Sequence, residues 1–264
     1  MKIGHESPIS IFDEVQKLTD YDYALVHLFE EFPEYLQKFR DAVASGREVI
    51  LDNSIFELGE AFDATKFAYW INELKPTWYI VPDALEDSYR TRANLLRWNR
   101  DWEGNLPSKK IAVVQGKSYV ELKECYEEIV RFGNVDMIAI SFDYSYYREI
   151  FPHKNKLVSW AMGRVLLLNR LLKDKVIRTD IPHHLLGCGL PLEFAFYKDY
   201  DWIYSVDTSS PVVHGIQKVA YSNTGLWKKS RHKLFEMISD EVSESQLNLV
   251  KENIELFRSI ANEQ

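Results

Sequence analysis

Strand-like and helical segments alternate along almost the whole chain, and this alternation predicts an α/β fold, a single-domain TIM-type (β/α)8 barrel. Seven short segments are rich in β-branched and aromatic residues, and most are followed by a longer segment with helical periodicity. Open parallel sheets usually stop at about five or six strands, so seven or eight βα units favour a closed barrel. The chain has 264 residues, of which 46% are hydrophobic, which is enough for one large core.

The predicted strands are short runs of β-branched and aromatic residues, which are typical of buried strands. In chain order they are residues 23–27, 48–52, 78–81, 111–115, 136–141, 183–187 and 202–206. Residues 217–221 are the candidate for an eighth strand.

Helices are predicted between the strands, where apolar residues recur with helical spacing. Residues 31–44 end at Ser45 and Gly46, and residues 64–74 end before Pro76, which are helix stop signals. The other predicted helices are residues 87–102, 119–132, 157–172, a short one at 191–197, and two closing helices at 226–238 and 243–260. The prediction is therefore one domain over residues 1–264, with C-terminal helices in about residues 226–262.

The carboxyl ends of the predicted strands carry mostly polar side chains. The positions are Asp52, Asp83, Gln115, Ser141, Gly187 and Asp207. In a TIM barrel these ends meet at one mouth, which is where such barrels carry out their chemistry. A helix cap or a turn is the commoner role of a single aspartate, and a cap is the alternative for Asp83. Three carboxylates that converge raise one another's pKa values and destabilise the fold, so their convergence favours a functional pocket.

Charge and cysteine content exclude several classes of protein. The formal net charge of −8 argues against a surface coated in basic charge for nucleic acid, and leaves only local basic patches. Cys125 and Cys188 provide neither a disulfide framework nor a four-cysteine zinc site, which indicates a reducing environment.

No apolar run is long enough to span a membrane, and the first residues lack a signal-peptide pattern. We therefore expect a cytoplasmic protein without a membrane partner.

Three histidines lie near the predicted mouth, namely His183, His184 and His214. Their spacing is not that of a recognisable metal site. We therefore expect no metal and no cofactor.

Five motifs in chain order resemble the tRNA-guanine transglycosylases. Asp52-Asn53-Ser54-Ile55-Phe56-Glu57 is similar to the Asp-Ser-Gly-Gly-Phe-Gln segment of that family. The remaining four are Val81-Pro82-Asp83, Val113-Val114-Gln115-Gly116, the Leu-x-Gly-x-Gly-x-Pro turn in residues 184–191, and the strand that ends at Asp207. Together they cover residues 48 to about 215, and their order makes the resemblance more specific than any one of them.

The resemblance implies a role for each matching residue. Asp207 would be the nucleophile that attacks the anomeric carbon of a nucleotide, and Asp52 would be the general acid/base. Asp83 would accept hydrogen bonds from a guanine-like base, Gln115 would donate to its O6, and Phe56 would stack on it. The remaining base-binding candidates are Asn53, Ser141 and Gly187.

The departures from the family pattern point to its short, DNA-acting members. Ser54 and Ile55 replace two glycines, Glu57 replaces a glutamine, and Ser141-Phe142-Asp143 stands at the place of a glycine-rich loop. The Cys/His zinc motif of the family and an appended RNA-binding domain are both missing from this sequence. Short relatives, some of them carried by phages, insert 7-deazaguanine derivatives into DNA, and the chain is most similar to these.

Basic and aromatic residues near the motifs are candidates for nucleic-acid contact. Lys228, Lys229, Arg231 and Lys233 are predicted to bind phosphates. A second basic set is better explained as a solvated helix face, and consists of Arg90, Arg92, Arg97 and Arg100. A third set is equally compatible with base stacking and with core packing, and consists of Tyr144, Tyr146 and Tyr147.

Three functional hypotheses follow from the sequence. The first is exchange of guanine in DNA for a 7-deazaguanine derivative, with the free base as second substrate. The second is excision of a modified base by a DNA glycosylase, for example as a defence against phage DNA, in which water completes the same Asp207 chemistry and leaves an abasic site. The third is a tRNA-guanine transglycosylase or a non-catalytic nucleic-acid-binding subunit. DNA is the expected partner and tRNA the less favoured one, while the oligomeric state stays open.

Overall fold

Eight parallel strands form one sheet in the computed structural model, which describes residues 1–262. The strands are β1 (Lys2–Gly4), β2 (Asp22–Leu25), β3 (Val49–Asp52), β4 (Trp78–Ile80), β5 (Lys109–Val114), β6 (Met137–Ser141), β7 (His183–Leu186) and β8 (Ile203–Asp207). Their order in the sheet is β1-β8-β7-β6-β5-β4-β3-β2, so β1 pairs with the last strand and the sheet curls into a nearly closed barrel. The predicted TIM-type fold is confirmed.

Helices follow the strands, as βα alternation requires. The α-helices are α1 (Phe12–Gln16), α2 (Leu28–Glu31), α3 (Pro33–Ala44), α4 (Ile55–Leu58), α5 (Ala64–Leu74), α6 (Ser88–Trp102), α7 (Tyr119–Phe132), α8 (Ser145–Ile150), α9 (Lys156–Lys173), α10 (Ser210–Ile216) and α11 (Glu244–Asn262). Short 3₁₀ helices occupy Ile9–Ile11, Pro191–Phe196 and Leu234–Met237. None of the helices in residues 1–262 is long and apolar enough to cross a membrane.

The seam between β1 and β2 is closed by the segment that precedes β2. The Asp20 backbone N–H donates to the Ile3 carbonyl over 3.0 Å, and the Asp20 carboxylate accepts from the Ile3 N–H over 2.8 Å. Arg258 on α11 holds the other oxygen of the same carboxylate over 2.8 Å. One aspartate therefore joins the two ends of the sheet and ties the last helix to them.

The eighth strand is not where the sequence placed it. Residues 217–221 form a turn in which Lys218 has a φ of 60°, and the Tyr221 N–H donates to Asn253 on α11 over 2.8 Å. The missing strand is β1, near the start of the chain. It has three residues, of which Ile3 is the one large apolar side chain, so no periodic pattern marks it.

The predicted helix at residues 226–238 is also wrong. In this stretch the structure has an extended loop and the 3₁₀ helix Leu234–Met237. In the loop, Lys229 and Lys233 both lie on the ring of Phe56. The other closing helix is confirmed as α11, which lies so close to α10 that a Cβ on Gly215 would meet Val250 at 2.5 Å.

A buried ion pair braces the carboxyl end of β7. Arg164 on α9 pairs with Glu193 on the 3₁₀ helix Pro191–Phe196, and both side chains are 1% exposed. The Arg164 Nε–Glu193 Oε2 distance is 3.2 Å, and Nη1 donates to the Leu186 carbonyl over 3.1 Å. The guanidinium thus connects three elements directly behind the strand end that carries Gly187.

We predict that Arg164→Met lowers the free energy of unfolding by about 3–5 kcal/mol, because it leaves the Glu193 carboxylate buried without its partner. Urea denaturation followed by circular dichroism measures the change. The double variant Arg164→Met/Glu193→Leu removes both charges and should regain most of the loss. Arg178→Met, which breaks an exposed pair with Asp180, is the matched control and should change little. A single variant as stable as the double one would contradict the prediction.

Candidate active site

One cavity of about 400 Å³ occupies the mouth of the barrel, at the carboxyl ends of the strands. All six strand-end positions that the sequence indicated line it, namely Asp52, Asp83, Gln115, Ser141, Gly187 and Asp207. The volume is in the range of sites that bind small organic molecules. The six residues converge because the parallel strands of a barrel bring every carboxyl end to the same rim.

Asp207 ends β8 with one carboxylate oxygen fixed and the other facing the cavity. Oδ1 accepts a hydrogen bond from the Gly187 backbone N–H over 3.0 Å. The same oxygen lies 3.0 Å from Nε2 of His184. Within residues 1–262, Oδ2 receives no hydrogen bond. This carboxylate is therefore held in one orientation with a free oxygen available for reaction.

Gly187 needs to be glycine for this arrangement. Its φ is +66°, and a Cβ at this position would meet the Phe142 ring at 2.4 Å. Both constraints favour glycine, which tolerates left-handed backbone and close approach. The tight turn aims the Gly187 N–H at Asp207.

Asp52 ends β3, next to the end of β2 at the mouth. Its Oδ2 accepts from the Tyr23 hydroxyl over 2.7 Å, and its Oδ1 accepts from the Ser54 N–H over 2.5 Å. Burial is the main cause that raises the pKa of Asp52 well above its ordinary value, and the nearby Glu57 carboxylate raises it further. Ser54 holds a left-handed conformation with a φ of 61°, at a position where the resembled family has glycine.

Asp83 lies between two amides. Its Oδ1 accepts from Asn53 Nδ2 over 2.8 Å, and its Oδ2 accepts from Gln115 Nε2 over 2.7 Å. Burial raises the pKa of Asp83, and the two amide hydrogen bonds oppose the rise. The Gln115 carbonyl is already engaged by the Glu86 N–H over 2.9 Å, so the cavity meets one remaining N–H of its amide.

The alternative that Asp83 caps the following helix is wrong. Asp87 is the N-cap of α6, and its carboxylate accepts from the Arg90 N–H over 2.9 Å. The Asp83 carboxylate turns instead into the cavity, toward Asn53 and Gln115.

Two glutamates, to which the sequence analysis gave no role, complete the cluster of carboxyl groups at the mouth. Glu6 follows β1 and lines the cavity, and burial together with Asp207 and Glu57 raises its pKa well above the ordinary value. Burial raises the pKa of Glu57 to about 7, opposed by Lys233 and supported by Asp207. Glu6 was missed because β1 was missed: in the register of the sheet, Gly4 pairs with Asp207, so residue 6 lies just past the rim.

Phe56 is covered by lysines of the segment 226–233, which we call the basic segment. The Lys229 and Lys233 ammonium nitrogens lie 5.3 Å and 4.6 Å from the Phe56 ring centroid. Lys229 is also 4.9 Å from the ring centroids of Phe142 and Trp160, and burial lowers its pKa. Lys233 donates to the Phe56 carbonyl over 2.8 Å. The basic segment therefore lies across the aromatic side of the mouth.

The predicted phosphate-binding residues divide into two groups. Lys229, Arg231 and Lys233 line the cavity. Lys228 is exposed beside it, and its carbonyl lies 3.2 Å from Nε2 of His214.

Two members of the second basic set form ion pairs, one between α6 and α7 and one within α6. Arg92 pairs with Glu128, and Arg100 pairs with its neighbour Asp101 over 2.7 Å. Arg90 and Arg97 line a separate groove beside Asp83, where aspartates and glutamates are interspersed. The interpretation as an ordinary helix face fits Arg92 and Arg100.

The three tyrosines after β6 belong to the core. Tyr144, Tyr146 and Tyr147 are all buried. Tyr144 donates to the Val114 carbonyl, and Tyr147 donates to the Ser141 carbonyl over 2.9 Å. Ser141 itself donates from its hydroxyl to Asp143 over 3.0 Å. The tyrosines therefore shape the β6 end from behind instead of facing the mouth.

The three histidines have separate environments. His184 contacts Asp207, His183 lies 2.9 Å from the Tyr126 hydroxyl, and His214 lies 2.7 Å from the Ser210 carbonyl. In the described part of the chain, no group of three or more His, Cys, Asp or Glu side chains is arranged to hold a metal ion.

Comparison with known proteins adds no assignment. No protein-family model matches this chain. No curated protein matches it with significant similarity. The resemblance to tRNA-guanine transglycosylases therefore stays a hypothesis that depends on the motifs themselves.

We predict that the stabilising contribution of Glu57 to the free protein is lost as the pH rises through about 5 to 7. Its pKa is about 7 in the folded protein against 4.5 for an ordinary glutamate, so between these values the folded state binds more protons than the unfolded state. The contribution of Glu57 to stability is therefore fully present below about pH 4.5 and is lost as the pH rises through about 7. Glu57→Gln should raise the melting temperature at pH 8 and flatten its dependence on pH.

Melting curves between pH 5 and pH 8 test this dependence, with Glu60→Gln as the matched control, since Glu60 is exposed three residues away. An unchanged pH slope in Glu57→Gln, or an equal effect of Glu60→Gln, would contradict the role assigned to Glu57.

Proposed function

We propose that this protein cleaves the base–sugar N-glycosidic bond of a nucleotide in DNA and exchanges guanine for a 7-deazaguanine derivative. The observation that carries the proposal is the Asp207 carboxylate, which keeps one oxygen free in a cavity opposite the Asp83–Gln115 pair. A carboxylate in such a position is suited to capture the oxocarbenium-like sugar that forms as the base departs.

The reaction proceeds in two displacements. Oδ2 of Asp207 attacks C1′, the C1′–N bond breaks, and the departing base takes its electron pair and a proton. The incoming base then attacks C1′ with a ring nitrogen, loses a proton, and returns the bonding electrons to the Asp207 carboxylate. Asp52 is the proposed proton donor and acceptor, because burial and the neighbouring Glu57 raise its pKa well above the ordinary value and so favour its protonated form.

Base recognition is assigned to Asp83 and Gln115. Each Asp83 oxygen has already accepted one amide hydrogen bond and has a further lone pair for a donor on the base. The remaining Gln115 N–H is suited to donate to a carbonyl oxygen such as O6 of guanine. A guanine edge, with two adjacent donors and one acceptor, matches this set.

Excision is a second candidate, and Glu6 and Glu57 favour it. Both carboxyl groups lie close enough to Asp207 for its charge to raise their pKa values, and the resembled family has glutamine at the position of Glu57. A carboxylate beside a glycosyl-enzyme intermediate is suited to activate water. In that case water replaces the incoming base and the product is an abasic site.

We predict that Asp207→Asn abolishes turnover while the fold survives, because a carboxamide is nearly isosteric with a carboxylate but is a poor nucleophile. The purified protein is incubated with DNA of varied base content, with and without a 7-deazaguanine base, and the nucleosides are measured by mass spectrometry. A new nucleoside indicates exchange, and free base with an abasic site indicates excision.

Asp199→Asn, at an exposed aspartate just before β8, is the matched control and should retain full activity. Turnover by Asp207→Asn at the wild-type rate would remove Asp207 from the mechanism. Activity on tRNA alone, or binding without turnover, would favour the third hypothesis.

We also predict that replacing Lys228, Lys229 and Arg231 with alanine weakens DNA binding and flattens its salt dependence, since each lost phosphate contact removes roughly 0.7–0.9 from the slope of log K against log salt. Fluorescence anisotropy at several salt concentrations measures the slope.

The matched control replaces Lys173, Lys175 and Arg178, which are exposed at the end of α9 and in the loop before β7, at the opposite end of the barrel. This control should leave the slope unchanged. Equal slopes for wild type and the mouth variant would place the phosphates elsewhere.

A further inference from the structure

We propose that His184 is a positioning residue that promotes the second displacement, in which the sugar leaves Asp207. The inference rests on the proposed function and adds a step-specific role for a side chain that never reaches the cavity surface. His184 has 0% exposure, and its polar contact with the proposed catalytic residues is the one to Oδ1 of Asp207.

The strand register places His184 directly behind the nucleophile. His184 on β7 pairs with Ser205 on β8, and Asp207 follows two residues later on the same face of that strand. Ser205 Oγ lies 2.8 Å from Nδ1 of His184, and Oδ1 of Asp207 lies 3.0 Å from Nε2. The three side chains therefore form one column inside the barrel.

Packing fixes the ring in this column. Tyr23 stacks on the His184 ring with a centroid distance of 6.1 Å and an interplanar angle of 20°. Tyr21 meets the ring edge-on at 6.4 Å. When the Ser205 hydroxyl donates to Nδ1, the neutral imidazole has its proton on Nε2, which donates to Asp207. The Gly187 N–H is the second donor to the same oxygen.

These two donors act differently on the two steps of the reaction. In the first step Oδ2 bonds to C1′, and Oδ1 changes from half of a carboxylate into the carbonyl oxygen of a neutral ester. In the second step the C1′–Oδ2 bond breaks, its electron pair returns to the carboxylate, and negative charge reappears on Oδ1. Hydrogen bonds to a charged acceptor are about twice as strong as those to a neutral one.

The donors therefore stabilise the carboxylate more than the ester. This difference makes Asp207 a better leaving group and a somewhat weaker nucleophile. Removal of the His184 donor should leave ester formation as fast as before, or faster, and should slow ester breakdown by about tenfold. The signature is accumulation of the covalent enzyme–DNA ester, which a merely structural role of His184 does not produce.

The test uses His184→Leu, which removes the donor, and His184→Gln, whose amide nitrogen is placed to replace Nε2. His183→Leu is the matched control, since this neighbouring buried histidine contacts Tyr126 and Trp202 instead of Asp207. The probe is a labelled single-stranded oligonucleotide that contains guanine, mixed with excess free guanine. Quenched samples are resolved on denaturing gels to measure the ester, and release of the original base is measured in parallel.

We expect the steady-state fraction of enzyme in the ester to rise about tenfold in His184→Leu, and to return toward the wild-type value in His184→Gln. The His183→Leu variant should resemble wild type. If His184→Leu does not fold, Ser205→Ala takes its place. This variant keeps the imidazole ring but removes the hydroxyl that fixes which ring nitrogen carries the proton. It should raise the ester fraction by a smaller factor.

An unchanged ester fraction in a His184→Leu protein that still turns over would overturn the inference and leave the proposed function intact. Equal slowing of ester formation and ester breakdown, seen alike in His184→Leu and His183→Leu, would also overturn the inference. Absence of both ester and base release in the wild-type protein would instead contradict the proposed function, and the inference with it.

Discussion

Like-charge repulsion among the carboxyl groups at the mouth is the constraint on which the site depends. The groups that face one another are Glu6, Asp52, Glu57 and Asp207. The barrel brings them together because parallel strands end at one rim, and the fold tolerates this through two devices. Neutral donors hold individual oxygens, as Tyr23 does for Asp52, and burial raises pKa values so that some of the protons stay on.

The two sides of the mouth differ in the kind of hydrogen bond they provide. On the β3–β5 side, side-chain amides of Asn53 and Gln115 hold Asp83 and leave donors and acceptors for a ligand. On the β7–β8 side, a backbone N–H and a buried imidazole hold Asp207 and leave one oxygen free. The first arrangement is suited to recognition and the second to covalent chemistry, so a substrate that spans the mouth meets both.

In the proposed function, the basic segment connects this chemistry to a polyanion. Its lysines lie on the ring of Phe56, where a base is proposed to stack, and are attracted by ring faces in the absence of phosphate. Phosphates carry full negative charges and would compete with the ring faces for the same ammonium groups. Phe56 and the lysines that we propose to bind phosphate are therefore coupled: in the proposed function, a base on Phe56 requires the lysines to move toward the backbone of the nucleic acid.

The sequence by itself determined the barrel and most of the rim, because βα alternation and polar residues at strand ends are local patterns. Only the tertiary structure decided the features that depend on pairing between distant segments. The three residues of β1 are a strand because β8 needs a neighbour, and this pairing brings Glu6 to the mouth. Adjacent histidines on β7 face opposite sides of the sheet, and the register selects His184 for contact with Asp207. The apolar spacing of residues 226–238 suggested a helix, but the contacts of Lys229 and Lys233 with aromatic rings across the mouth outweigh a weak local propensity.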